Sequence, residues 1–305
     1  MALKTKDLLG LEGVSKEEIL EILDTSVQMK KILLSGSKKA PHLQGKSVIT
    51  LFYENSTRTR VSFDLAGKYL SAAVSSISST GSSVAKGETL IDTGRTLDRM
   101  EADVIVIRTN MSGGPHLLAR NVRASVINAG DGMHEHPTQA LLDIFTMREK
   151  LGSVAGRKVA IVGDILHSRV ARSNMWGLSA LGADVWLSGP ESLLPEGIGS
   201  FGVNVTNNVE QAIKDADVVM GLRIQKERQQ AGLVPSVREY HRFFGIDGRR
   251  LALAKKDVLL MHPGPVNRGV ELSSMVIVCE NSFIDEQVTN GVAVRMALLF
   301  MLTRS

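Results

Sequence analysis

Lys46-Ser-Val-Ile-Thr-Leu-Phe-Tyr53 is a strand-like run rich in apolar and β-branched residues, and Glu54-Asn-Ser-Thr-Arg-Thr-Arg60 breaks it and opens a helical pattern at Ser56. Strand, turn and helix in that order begin a parallel βαβ unit. The pattern recurs downstream, with 73–77 strand-like, 88–100 helical, 102–107 strand-like, 115–120 helical and 124–128 strand-like. Strands read as continuous apolar runs alternating with helices predict a parallel sheet covered on both faces. Upstream, 15–34 reads as a helix, with Ser15 and the acids Glu17 and Glu18 as its cap and Ile19, Leu20, Ile22, Leu23 and Val27 as its apolar stripe.

A strongly periodic helix is predicted over 137–151, ending at Gly152, and the domain boundary is placed there. The alternation then restarts. Arg157-Lys-Val-Ala-Ile-Val-Gly163, Asp184-Val-Trp-Leu187, Asp217-Val-Val-Met220 and Asp257-Val-Leu-Leu-Met261 read as strands of a second sheet. The fold class is therefore α/β, with two doubly wound parallel-sheet domains and an active site expected in the cleft between them. Residues 1–150 form the first domain, joined by a C-terminal helix over about 288–305 that crosses back to it, and 151–287 form the second. Three segments break the regularity and read as functional loops: 75–86, 225–240 and His262-Pro-Gly-Pro265.

The chain has 305 residues, 43% of them hydrophobic and 22% charged, ordinary values for a globular protein and far from those of disorder. Its net charge of +4 brings an anionic partner such as nucleic acid into consideration. Aromatic residues at 4%, the lack of a nucleic-acid motif and arginines set at separate turns argue against that partner. The one cysteine, Cys279, rules out an internal disulfide and any zinc site with two thiolates, and beside Met275-Val-Ile-Val278 it reads as a small buried hydrophobe. With no signal-peptide core and no membrane-length apolar run, the protein is expected in the cytoplasm, away from membranes.

Three turns carry chemistry. A helix start offers unpaired N–H groups and partial positive charge. Ser56, Thr57 and Thr59 add hydroxyls and Arg58 a planar fork, which suits a phosphate; Ser-Thr alone would read as an ordinary N-cap. In Gly132-Met-His-Glu-His-Pro-Thr-Gln139, His136 and Gln139 stand one turn apart and can polarise a carbonyl. The His134-x-His136 pair invites a metal but lacks further ligands at a recognised spacing, and a purely structural histidine is the bland alternative. In Gly163-Asp-Ile-Leu-His-Ser-Arg169 the dinucleotide pattern G-x-G-x-x-G is absent. Arg169, with Arg223 after the next strand, suits a substrate bearing two carboxylates, unless local acids pair with each arginine.

Together these segments resemble the aspartate and ornithine carbamoyltransferase family. The resemblance rests on Phe52-Tyr-Glu-Asn-Ser-Thr-Arg-Thr-Arg60, Lys86-Gly-Glu88, Ile107-Arg108, His136-Pro-Thr-Gln139, Gly163 to Arg169, Arg223-Ile-Gln-Lys-Glu-Arg228 and His262-Pro-Gly-Pro265, in register along nearly the whole chain. Glu54 stands where ornithine-using members carry Lys, and their Asp-x-Trp-x-Ser-Met-Gly and His-Cys-Leu-Pro segments are missing. Arg223, Lys226 and Arg228 suit an acidic acceptor, so the resemblance is to the aspartate-using members.

The resemblance implies carbamoyl transfer from carbamoyl phosphate to L-aspartate, in pyrimidine biosynthesis, with no cofactor and no metal. It assigns the phosphate to Ser56, Thr57, Arg58 and Thr59, and the carbamoyl oxygen to Thr59, Arg108 and His136. The carbamoyl NH₂ goes to Gln139 and the carbonyls of Gly264 and Pro265, for which a cis Gly264–Pro265 bond is expected. Arg169, Arg223, Gln225 and Lys86 would hold aspartate, and Arg58, Thr59, Lys86, Arg108 and His136 are the implied catalytic set. Ser82 and Lys86 would come from the adjacent subunit of a homotrimer with shared sites, and a regulatory chain or a dihydroorotase is admitted as a further partner. Carbamoyl transfer to another amine, such as N-acetylornithine, is the nearest rival reading. A silent scaffolding paralogue is weakened because every matched position keeps its chemical residue.

Overall fold

Each of the two sheets is ordered by its first strand. A computed structural model describes residues 5–78, 87–224 and 236–304, and the chain divides into two units, 1–142 with 289–305 and 143–288. In the first unit, strands β1 (Ser47–Phe52), β2 (Ala73–Ser78), β3 (Val104–Thr109) and β4 (Ser125–Asp131) form a parallel sheet of order β2-β1-β3-β4. In the second, β5 (Lys158–Val162), β6 (Asp184–Ser188), β7 (Asn204–Thr206), β8 (Val218–Gly221) and β9 (Leu259–Met261) form one of order β7-β6-β5-β8-β9. Both sheets are doubly wound α/β, as expected. In each, the chain leaves its first strand towards one edge and returns on that strand's other side, so the winding reverses between β1 and β3 and again between β5 and β8.

The helices are α1 (Lys16–Leu34), α2 (Thr57–Tyr69), α3 (Leu90–Arg99), α4 (Gly114–Ala119), α5 (Pro137–Leu151), α6 (Arg169–Ala180), α7 (Val209–Ile213), α8 (Val237–Phe244), α9 (Gly248–Leu251), α10 (Ser274–Ile277) and α11 (Ile284–Leu302). Helix α1 starts where its cap predicts: Ser15 Oγ accepts from Glu18 N while Ser15 N donates back to the Glu18 carboxylate, each at 3.3 Å. Its stripe Ile19, Ile22, Leu23, Ser26, Met29 and Leu33 is buried. In the first unit Leu51, Ile105, Ile107 and Val126 from three strands pack with Leu97 of α3 and Leu118 of α4. Ala160, Val162, Val219 and Leu260 do the same in the second, with Ala212 and Ile213 of α7. Each fully buried aliphatic side chain contributes about 1.5–3 kcal/mol. The unit boundaries fall inside α5 and α11, and Ser125 Oγ donates to the Leu302 carbonyl at 3.3 Å within the first unit.

A single acid sets the strand alignment in each sheet. Asp103, just before β3, accepts from Lys46 Nζ at 2.9 Å and Ser47 N at 2.8 Å at the start of β1. Asp217, just before β8, accepts from Lys158 N at 3.0 Å, Arg157 Nη1 at 3.0 Å and Lys255 Nζ at 2.8 Å at the start of β5 and the approach to β9. Burial raises both carboxyls, but the combined hydrogen bonds and cations outweigh it and hold both below the ordinary range.

Several expectations need correcting. Strand β2, Ala-Val-Ser-Ser-Ile-Ser, carries three serines and has no buried residue at the sheet edge, so it is neither a continuous apolar run nor covered on both faces. The 225–240 segment is not loop to its end, because α8 begins at Val237 with Ser236 Oγ capping Glu239 N at 3.0 Å. The edge strand β7, three residues long, was too short to read. The last helix starts at Ile284, ahead of the expected 288. The apolar run before Cys279 is the single turn α10, whose helical period buries Val276 and exposes Met275 and Val278. Cys279 is half-buried against the second core. No helix among the described residues is long and apolar enough to cross a membrane.

Asp217→Asn is expected to lose about 1–3 kcal/mol of unfolding free energy at neutral pH, since the buried carboxylate accepts charged hydrogen bonds that an amide serves less well. Because the native carboxyl titrates below its unfolded value of 3.8, this contribution is present above that value and is lost as pH falls through the lower native one. Urea titrations across pH should therefore show wild type and variant converging in acid. A constant gap would reject this role.

Candidate active-site residues

The first group gathers at the carboxyl ends of β1, β3 and β4, beside the reversal of winding where open α/β sheets bind ligands. Phe52 of β1 is level with Arg108 of β3, and Tyr53 N donates to the Arg108 carbonyl at 2.8 Å. The turn that follows therefore leaves the sheet beside the Arg108 side chain. Arg108 Nε lies 3.3 Å from Glu54 Oε2, and Arg108 Nη1 donates to the Ala129 carbonyl at 3.1 Å, so the guanidinium is held between the β1 turn and the end of β4. Ser56 is the N-cap residue of α2 yet makes no side-chain capping bond, against the ordinary-cap alternative. Thr59 is buried, while Thr57 and Arg58 are exposed.

His136 and Gln139 enter from the β4–α5 turn, both buried, with Gln139 N donating to the His136 carbonyl at 3.0 Å. Two acids missed by sequence reading hold that turn. Asp131, fully buried, accepts from Gly113 N at 2.7 Å, Asn128 Nδ2 at 2.8 Å and Glu135 N at 3.0 Å, and lies 3.0 Å from His134 Nδ1. Glu135, between the two histidines, accepts from Leu11 N at 2.8 Å and Glu12 N at 3.1 Å. One ligand atom each from His116, Asp131 and His134 lies within 4.8 Å of the others, a grouping hidden from spacing because His116 sits far upstream. Asp131 is already engaged there by three N–H groups and an imidazole.

The second group surrounds the reversal between β5 and β8. The β5 turn passes so close to the β8 turn that a Cβ on Gly163 would stand 2.7 Å from Leu222 Cβ, and Gly163 has φ +151°. Asp164, buried, accepts from His167 N at 3.1 Å and lies 2.9 Å from His167 Nδ1, which shapes the approach to α6. Arg169 is the first residue of that helix and is buried; Arg223, just past β8, is half-buried. Gly264 and Pro265 follow β9, and the bond between them is cis, as expected.

A buried chain of hydrogen bonds ties α6 to this last loop. Asn174 Nδ2 donates to Asp143 Oδ2 at 2.9 Å, Gln287 Nε2 to Asp143 Oδ1 at 2.7 Å, and His262 N to Gln287 Oε1 at 2.9 Å. Burial, and then Glu271 and Asp164, push the Tyr240 phenol up, which keeps it protonated. No short-range signal marked Asp143 or Gln287, because their partners lie far away in sequence. Ser82, Lys86, Gln225, Lys226 and Arg228 lie outside the described residues.

Comparison with known proteins agrees with this geometry. The chain is 70% identical over 304 residues to the aspartate carbamoyltransferase catalytic subunit of Acetivibrio thermocellus, covering 100% of this chain and 97% of that one. Its fold is similar to that of Trypanosoma cruzi aspartate transcarbamoylase in complex with carbamoyl aspartate and phosphate, with a TM-score of 0.89, 32% identity and coverage of 98% and 96%. It is also similar to ornithine carbamoyltransferase from Pyrococcus furiosus, with a TM-score of 0.86, 32% identity and coverage of 98% and 97%. Residues 6–149 match the model of the aspartate/ornithine carbamoyltransferase carbamoyl-P binding domain, and 155–302 that of the Asp/Orn binding domain. With both models matched in order over nearly the whole chain, the chain belongs to the aspartate/ornithine carbamoyltransferase family.

Proposed function

We propose that the protein is an aspartate carbamoyltransferase: carbamoyl phosphate and L-aspartate give N-carbamoyl-L-aspartate and inorganic phosphate, within pyrimidine biosynthesis. The observation that carries this reading is the placement of Arg108 level with Phe52 and against Glu54, in the turn that leads directly into Ser56–Thr59, which suits an acyl phosphate whose phosphate and carbonyl are bound together. Residues 1–150 with 288–305 bind carbamoyl phosphate, and 151–287 bind aspartate.

In this reading the α2 N-terminus, Ser56, Thr57, Arg58 and Thr59 hold the phosphate, matching its charge with N–H groups, hydroxyls and a guanidinium. Thr59, Arg108 and His136 surround the carbamoyl oxygen, which gains negative charge as the aspartate amine adds to the carbon. Gln139 and the carbonyls of Gly264 and Pro265 accept from the carbamoyl NH₂. Arg169 and Arg223, with Gln225 and Lys86, grip the two aspartate carboxylates. A C–N bond forms, the C–O bond to phosphate breaks, and the departing phosphate takes the amine proton. Positioning and charge stabilisation then supply the rate, without a covalent enzyme intermediate. The family resemblance, and the arginines on both sides of the β5–β8 reversal, support aspartate over a cationic acceptor. The protein works in the cytoplasm as a homotrimer in which Ser82 and Lys86 complete the neighbouring site.

Arg58→Ala or His136→Ala is expected to lower turnover by at least about 10²-fold, the usual loss for an oxyanion donor, in an assay of N-carbamoyl-aspartate formation. Near-wild-type turnover removes the altered residue from the mechanism. Mixing inactive Lys86→Ala and Arg58→Ala chains should restore part of the activity, since hybrid trimers contain sites that carry neither change. Mixtures that stay inactive after confirmed subunit exchange would exclude shared sites.

A further inference from the structure

The loop His262-Pro-Gly-Pro265 contains one backbone N–H after its histidine, because Pro263 and Pro265 have none. That N–H, on Gly264, donates to His262 Nδ1 at 2.8 Å. A backbone amide can only donate, so Nδ1 accepts and the ring proton sits on Nε2, which lies 3.3 Å from Glu271 Oε1. Glu271 in turn accepts from Asn267 N at 2.6 Å, and both the imidazole and this carboxylate are buried. The main chain of His262 is fixed separately through Gln287 and Asp143. The backbone N–H and Nδ1 of His262 are both hydrogen-bonded, Nε2 faces the Glu271 carboxylate without a hydrogen bond, and Gly264 at φ +62° turns the chain.

We propose that His262 is a positioning residue that makes this loop an acceptor-only surface, by taking up its one N–H and leaving the Gly264 and Pro265 carbonyls to receive an NH₂ group. The inference rests on the carbamoyltransferase reading and adds a specificity role to it. A surface with carbonyls and no donor matches the carbamoyl NH₂, which only donates, and gains nothing from a methyl in its place. The bond from a side chain to the N–H two residues on is the geometry of an Asx turn, which an asparagine oxygen makes in the same way.

The test compares His262→Ala, His262→Asn and His262→Gln, measuring kcat and KM for carbamoyl phosphate and the inhibition constant of acetyl phosphate, in which a methyl replaces NH₂. Alanine should lower kcat/KM for carbamoyl phosphate about 10–100-fold while acetyl phosphate binding changes by less than about threefold, because only the NH₂ contact is misplaced. Asparagine, whose oxygen reaches the Nδ1 position, should recover most of the loss, and glutamine, whose oxygen reaches the Nε2 position, should not. Parallel weakening of both ligands, or asparagine no better than glutamine, overturns the proposal. If the alanine variant fails to fold, the asparagine–glutamine contrast decides alone. In ¹⁵N-histidine spectra of the wild type, the signals lost in His262→Asn should be those of an Nε2–H tautomer, and the opposite tautomer overturns the proposal without reference to activity. Wild-type protein that forms no N-carbamoyl-aspartate while showing the Nε2–H tautomer would sink the carbamoyltransferase reading and leave the Gly264 clamp standing.

Discussion

The structure depends on where the strands of each sheet start. A parallel sheet has no hairpin turn to set its register, so the alignment of β1 with β3, and of β5 with β8, has to come from contacts at the strand ends. Asp103 and Asp217 provide them, each bonding a backbone N–H and cations at the start of the first strand. Once the amino ends are pinned, the carboxyl ends are too, and Arg108 comes level with Phe52. The candidate residues at the carboxyl ends of the strands are thus positioned by acids at the amino ends. A one-residue slip would turn Arg108 to the other face of its sheet.

The two units repeat this plan but use it for different chemistry. At the β1–β3 reversal the turn opens a helix with hydroxyls and a guanidinium, which suits a compact polyanion. At the β5–β8 reversal a glycine brings two turns into close approach, with an arginine just beyond each, which suits an elongated diacid. Binding of both reactants needs fixed cations and N–H dipoles but no group of unusual reactivity. That agrees with a transfer driven by placement and by stabilisation of growing charge.

Most of the fold was legible, because apolar runs alternating with helical periods were long enough to identify and their end signals were local. Ser15 with Glu18, Pro137 at the start of α5 and Gly152 after its end are all read within one turn of chain. The edges were read less fully. β2 was read as a strand at 73–77 but not as an exposed one, and three-residue β7 is below the length at which a period can be counted. Among the candidate residues, those in continuous motifs such as Ser56–Thr59 and His136–Gln139 were visible, whereas the acids that orient them were not. Asp131, Glu135 and Glu271 are defined by what they accept, and for Glu135 those partners are at Leu11 and Glu12. The His-Glu-His triplet shows the limit: it invited a metal, and its middle residue instead bonds two backbone amides.

That contact joins Leu11 and Glu12 to the β4–α5 turn. Leu8 aligns with Ile127 along the outer edge of β4, and a few residues later Glu135 receives Leu11 N and Glu12 N, with Gly10 too close to the carboxylate to accept a side chain. Residues 8–12 are therefore a strap beneath the turn that carries His136. Changes there that look remote and superficial, including a rigid fusion placed hard against Lys6, would reach the histidine proposed to face the carbamoyl oxygen through one buried carboxylate.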